Sequence, residues 1–273
     1  MYKLIAIDLD DTLLNDEGVI SEKNKAAIQR AEKAGVKVVI VSGRSYSSTK
    51  QYIKELALPN LTVSLNGAYI QDPMDDRLVD GFPIAQSVTL ELIKDIEPFE
   101  VHINFYNGEK VICQDPSEQA LFYSQMNRIE IDYVDSLAEL SKTTQAGKLL
   151  MSDNQEKLKE IKDLLQKKYG DELNIVFSKP IFLEVTDKKA SKGAALLKVA
   201  EMYGIEAPEV IAIGDSENDI SMIRSAGLGI AVANAKEIIK NEADFVTFSN
   251  NESGVAYAIN KFIFNESQEQ EVN

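Results

Sequence analysis

The sequence predicts an α/β fold in which a parallel-sheet core is interrupted by an inserted α+β domain. Three observations predict it: strand-helix-strand patterning at the start of the chain, the return of that pattern near its end, and a hairpin signal between the two. Leu4 to Asp8 is an apolar run that closes on a carboxylate. Ser21 can cap a helix that ends near Gly35, and Val36 to Val41 forms the next strand. A second helix is expected from Ser45 to Leu56, then a third strand of the parallel sheet near Leu61 to Leu65, closed by the turn pair Asn66-Gly67. The late block reads as a helix from Ser191 to Tyr203, the strand Val210 to Ile213, a helix after Asn218, the strand Leu228 to Val232 and a final helix over Val255 to Phe264. The polar tail after Asn265 is expected to fray.

Between these blocks the period changes. In Val101 to Cys113, Asn107-Gly108 separates two β-prone runs, which predicts an antiparallel hairpin with a type I′ turn. A helix over Gln155 to Tyr169, with Leu158, Ile161, Leu164 and Leu165 on one face, precedes strands at Asn174 to Phe177 and Ile181 to Val185. The expected division is therefore a core of residues 1–82 and 187–273 with residues 83–186 inserted.

Length and composition agree with two domains, because 273 residues exceed what one hydrophobic core usually serves. A formal net charge of −15 repels nucleic acid phosphates and anionic membranes, so neither is an expected partner. The single cysteine, Cys113, excludes an intramolecular disulfide, and the single histidine, His102, leaves too few soft ligands for zinc. Both read as structural residues of the inserted sheet, and any metal must be held by oxygen. The N-terminus lacks the features of a signal peptide, and no window approaches the ~20 apolar residues of a membrane span, so a cytoplasmic setting is expected.

Reactive groups of an open parallel sheet gather at the carboxyl ends of its strands. Here those ends carry Asp8-Leu9-Asp10-Asp11-Thr12, Ser42-Gly43-Arg44 and Gly214-Asp215-Ser216-Glu217-Asn218-Asp219, while Lys192 opens the helix after the insertion. Asp8, Asp10 and Asp215 can approach one small volume. Carboxylates about 4 Å apart repel by roughly 4 kcal/mol per pair at an effective dielectric of 20, which calls for a counter-charge. Few ligands, all oxygen, suit Mg²⁺. The chemistry that follows is phosphoryl transfer: Asp8 as nucleophile, Asp10 as general acid and base, Ser42 and the amide after it on the phosphoryl oxygens, and Lys192 as a point charge. Asp219 can hold Lys192 or metal-bound waters.

In order and spacing these four motifs resemble the haloacid dehalogenase superfamily, and most of all its Cof-type branch, over Tyr2 to about Phe264. The resemblance implies a Rossmann-like core with an α+β cap and a Mg²⁺ held by Asp8, the Asp10 carbonyl and Asp215. It also implies substrate or phosphate contacts from Ser42, Gly43, Arg44, Lys192 and Asn218. The expected activity is hydrolysis of small phosphorylated metabolites, sugar phosphates first among them, through an aspartyl-phosphate on Asp8. Phosphomutase or phosphotransferase activity through the same intermediate stays open. A receiver-type signalling domain and a purely binding member rank below, because receivers are about half this length and all catalytic positions are filled. Taken alone, Asn66-Gly67 reads as a turn with a small chance of touching substrate.

Overall fold

The computed structural model describes residues 1–127 and 129–266; the tail expected to fray lies outside them from residue 267 onward. The chain divides into two compact units. The first comprises Met1–Arg44, Thr49–Val79 and the chain from Ser191, and the second comprises Ser45–Ser48 and Asp80–Ala190. The longer segment of the second unit, Asp80–Ala190, encloses residues 83–186.

The first unit is built on a five-stranded parallel sheet in the order Phe245–Val246, Leu228–Ala231, Val210–Gly214, Leu4–Ile7, Lys37–Ile40. Leu4–Ile7 and Val210–Gly214 are buried at every position, as parallel strands covered on both faces require. Register does the functional work here: Ile7 lies opposite both Ile40 and Ile213. Asp8, Ser42 and Asp215 therefore emerge from three adjacent strands at one edge of the sheet. Ser21 caps the helix Glu22–Lys33 by accepting from the Asn24 N–H, and Ser191 caps the helix Lys192–Met202 by accepting from that of Ala194.

The third expected strand departs from the prediction. Thr62–Ser64 meets the parallel sheet at the isolated bridge Val41↔Val63, but it pairs antiparallel with Tyr69–Asp72 in a separate three-stranded sheet completed by Arg77–Gly81. The cause is the link between them. Leu65, Asn66 and Gly67 have φ of +51°, +56° and +102°, and three left-handed residues in succession turn the chain back on itself.

The second unit carries a six-stranded sheet in the order Leu173–Lys179, Phe182–Asp187, Lys148–Ser152, His102–Asn107, Lys110–Cys113, Ile131–Tyr133, antiparallel except for its last pair. The predicted hairpin forms with its turn one residue later. Asn107 pairs with Lys110, so the loop is Gly108-Glu109, and of these two only Gly108 has positive φ, whereas a type I′ turn needs both. The Asn107 amide donates to the Gln145 carbonyl, which anchors it as the last strand residue. In the helix Gln155–Tyr169, Leu158, Ile161 and Leu165 enter the core, whereas Leu164, about 100° off that stripe, stays 37% exposed. His102 and Cys113 both bond Asn104 within the sheet, and burial pushes the Cys113 thiol up to about 12, which makes it an inert side chain at neutral pH.

Candidate active site

The site grows from the carboxyl edge of the parallel sheet. After Ile7 the chain leaves the strand at Asp8, whose N–H still donates to Ile213 O at 3.0 Å, and winds through Leu9–Leu13. Asp10 is extended and Asp11 left-handed (φ +55°), a region that Asp tolerates better than most residues. This winding separates the two carboxylates that the sequence placed together. Asp8 is buried among acidic neighbours, while Asp10 turns outward, half-exposed, to Arg44. The Arg44 Nε donates to Asp10 Oδ2 at 2.9 Å and Nη2 donates to Oδ1 at 2.5 Å, a bidentate pair.

Lys192 is the centre of charge. Its side chain is 1% exposed, and Nζ donates to Asp8 Oδ1 and to Asp219 Oδ1, each at 2.5 Å. Asp219 was expected to play a supporting part and is fully buried. Its second oxygen, Oδ2, accepts from the backbone N–H groups of Asp215 and Ser216 at 3.0 Å each. Gly214 permits this closeness, because a Cβ there would stand 2.5 Å from that of Asp219. Asp215 Oδ1 accepts from Thr12 Oγ1 at 3.1 Å. Asp8, Asp215 and Asp219 each place a carboxylate oxygen within 4.8 Å of the others, whereas the Asp10 carboxylate stands outside this group.

Three carboxylates face one ammonium, which leaves two negative charges uncompensated. Burial, with Asp219 and Asp215 adding to it, holds the Asp8 carboxyl well above its ordinary range despite Lys192. Burial and Asp219 push Asp215 up to about 6. Burial alone would lower the Lys192 ammonium, but Asp8 and Asp219 together hold it above its ordinary value, so it stays charged. A divalent cation fits a donor set of this charge and chemistry.

Ser42 is buried at the end of its strand, where its Oγ accepts from the Arg44 N–H at 3.1 Å and its carbonyl accepts from the Asn66 N–H at 3.1 Å. Asn218 Nδ2 donates to Asn66 Oδ1 at 2.9 Å, and that same oxygen lies 2.9 Å from where a Cβ on Gly43 would be. Asn66 and Thr12 thus join the expected residues, although the first was read as a turn residue and the second had no role. No local pattern distinguishes an Asn that makes a turn from one that also bonds a distant Asn218. A reverse turn directly after a strand of the sheet was nonetheless a hint.

The turn packs tightly on the cap of the lysine helix. A Cβ on Gly67 would lie 2.2 Å from the Ser191 carbonyl oxygen, at a φ (+102°) that side chains rarely adopt. Gly67→Ala is expected to destabilise the protein by roughly 2 kcal/mol or more, with a matching fall in the urea midpoint. An unchanged midpoint would show that the backbone here yields.

Comparison with known proteins adds to this geometry. A family model described as haloacid dehalogenase-like hydrolase matches residues 5–259. The 5-amino-6-(5-phospho-D-ribitylamino)uracil phosphatase YwtE of Bacillus subtilis is 33% identical, over 96% of this chain and 98% of its own. Among solved structures, TM0651 from Thermotoga maritima is 32% identical with a TM-score of 0.88, covering 96% of this chain and 98% of its own. The sugar phosphatase BT4131, described as a HAD subclass IIB enzyme, is 25% identical with a TM-score of 0.77, covering 95% and 98%.

Proposed function

Because the chain belongs to the haloacid dehalogenase-like hydrolases and is a phosphatase, we propose that it hydrolyses small phosphorylated metabolites through an aspartyl-phosphate on Asp8. The observation that carries this reading is the buried Lys192 ammonium bridging Asp8 and Asp219, with Asp215 alongside. Sugar phosphates are the favoured substrate class, in keeping with BT4131 and with the phosphorylated ribityl chain named for YwtE. The second unit acts as the cap domain of the Cof-type branch. The enzyme works in the cytoplasm; among the described residues no helix is long and apolar enough to cross a membrane.

Asp8, Asp215 and the Asp10 carbonyl would hold a Mg²⁺ ion, which when bound would supply charge neutralisation for an anionic nucleophile meeting an anionic phosphoryl group. Asp219 supports it and is not a ligand, since Lys192 takes one of its oxygens and two backbone N–H groups take the other. An Asp8 oxygen attacks phosphorus as the bond to the leaving oxygen breaks, and Asp10 hands its proton to that oxygen. Asp10 then takes a proton from water, which attacks phosphorus and returns Asp8 with release of inorganic phosphate. To act, Asp10 exchanges its Arg44 contact for the leaving group. Ser42, Gly43, Lys192 and Asn218 hold the phosphoryl oxygens, while Arg44 orients Asp10 and the substrate end nearest it.

The test is a panel of sugar phosphates, phosphorylated ribityl compounds, flavin nucleotides and pyridoxal phosphate, assayed with Mg²⁺ for free phosphate. An acid-stable, hydroxylamine-sensitive phosphoprotein on rapid quench is the expected sign of the intermediate. Phosphate retained on an acceptor sugar, with none released, would assign the chain to the phosphotransferases instead.

The charge excess also predicts a pH effect. Asp215 titrates at about 6 in the folded chain against an ordinary 3.8, so the stability it lends is present below pH about 4 and lost as pH rises through 6. Metal-free protein should therefore melt at lower temperature at pH 7 than at pH 5, and Mg²⁺ should raise the melting temperature at pH 7 far more than at pH 5. A Mg²⁺ effect equal at both values would contradict the proposed ligands.

A further inference from the structure

Three asparagines from distant parts of the chain hold the loop that follows Asp8. Asn24 Nδ2 donates to the Leu13 carbonyl at 3.4 Å, Asn250 Nδ2 to that of Leu14 at 3.1 Å, and Asn234 Nδ2 to that of Asp11 at 2.7 Å. The first two asparagines are buried and tie down the end of the winding, where Leu13 and Leu14 are buried as well. Pairing a buried amide with a buried carbonyl is what packing requires. Asn234 and Asp11 are both exposed, so water is available to each, and burial gives no reason for the shortest of the three bonds.

Its place in the loop gives one. Asp11 is left-handed, at φ +55° and ψ +6°, a conformation that is costly for a residue with a Cβ. The Asp10 carbonyl belongs to the rigid peptide before Asp11 and the Asp11 carbonyl to the one after it, so the two dihedrals of Asp11 set the angle between them. The later peptide is fixed from both sides. Asn234 grips its oxygen, and Thr12, fully buried, donates from Oγ1 to Asp215 Oδ1 at 3.1 Å. Asn234 is itself anchored just after the strand Leu228–Ala231, because its Oδ1 accepts from the Asn250 N–H at 2.9 Å. Without that grip Asp11 is free to fall back to a right-handed or extended conformation, and the Asp10 carbonyl swings with it.

We propose that Asn234 is a positioning residue for the divalent cation: by holding the Asp11 carbonyl it keeps the Asp10 carbonyl turned towards the ion that Asp8 and Asp215 would share. The inference rests on the ligand set proposed above and deepens it, since Asn234 acts through the backbone at Asp11 and not as a ligand.

The test titrates Mg²⁺ into the full chain without substrate and reads its dissociation constant from the rise in melting temperature. Asn234→Ala is expected to weaken Mg²⁺ roughly tenfold, as loss of a group that orients a ligand does. The metal-free melting temperature should fall by no more than about 5 °C, the effect of one or two hydrogen bonds in a chain of this size. Glycine enters the left-handed region without the cost that Asp11 bears, so in an Asp11→Gly background the same substitution should weaken Mg²⁺ by no more than about threefold. Comparison within each background removes the lost Asp11 charge from the result. Equal weakening in both backgrounds would mean that Asn234 does not act through Asp11, and an unchanged Mg²⁺ affinity in Asn234→Ala would mean that it does not act at all. Either result overturns the inference and leaves the proposed ligands standing. A metal-free melting temperature that falls well beyond the expected range would overturn it too, as the mark of a structural bond. A parent chain that Mg²⁺ does not stabilise would instead bring down the ligand set itself, and this inference with it.

Discussion

Asp8→Asn is expected to lower turnover by about 10⁴-fold or more while the chain keeps its fold. A neutral amide oxygen is a poor nucleophile and cannot form the acyl phosphate on which the proposed pathway depends. The substitution preserves side-chain volume and the backbone bond from residue 8 to Ile213 O, and it leaves Lys192 paired with Asp219. It also removes one of three crowded negative charges. Metal-free Asp8→Asn should therefore be as stable as the parent, or more so, above pH 6, where Asp215 is ionised. Steady-state assays on the best panel substrate, beside thermal melts with and without Mg²⁺, decide it. Undiminished phosphate release would end the proposal that Asp8 is the nucleophile.

Lys192→Met should be damaging in two ways. The ammonium it removes is 1% exposed and bonded to two carboxylates, so the buried Asp8 and Asp219 and the partly buried Asp215 remain with no counter-charge. Breaking a buried pair from one side typically costs about 3–5 kcal/mol, and that is the fall expected in metal-free urea denaturation at pH 7. Mg²⁺ should recover part of it, because a divalent ion replaces the missing charge. Turnover should fall by about 10²- to 10³-fold even in saturating Mg²⁺, since the point charge on the phosphoryl group is gone. Lys192→Arg keeps the charge but should not restore function: a planar guanidinium does not fit a site sized for a compact ammonium. Full stability with full activity in Lys192→Met would mean that the lysine is a bystander.

Asp8, Asp215 and Lys192 could be singled out because strand ends and helix starts are local features. Asp8 closes an apolar run, Asp215 closes another, and Lys192 follows a capping serine; each is recognisable within a few residues. The Leu65–Gly67 turn was less so. Its place in an antiparallel sheet depends on three left-handed residues in a row, and nothing in Leu65 announces a φ of +51°. The Asp10–Arg44 pair was hidden for another reason. Spacing two apart put Asp8 and Asp10 on one loop, but only the winding of Leu9–Leu13 aims their side chains at different partners. Asn66 was undervalued for the same cause, since its bond to Asn218 spans 152 positions.

The sequence by itself determined the layered α/β core, the motifs at the strand ends and the oxygen-only chemistry, because periodicity and residue type act over short stretches of chain. The tertiary structure alone decided which carboxylates share a volume, that Asp219 rather than Asp10 completes the acidic cluster, and that Asn66 stands beside Gly43 and Asn218. Those outcomes depend on strand register and loop winding, which set distances between residues far apart in the chain, and electrostatic energies follow distance and burial, not order along the sequence.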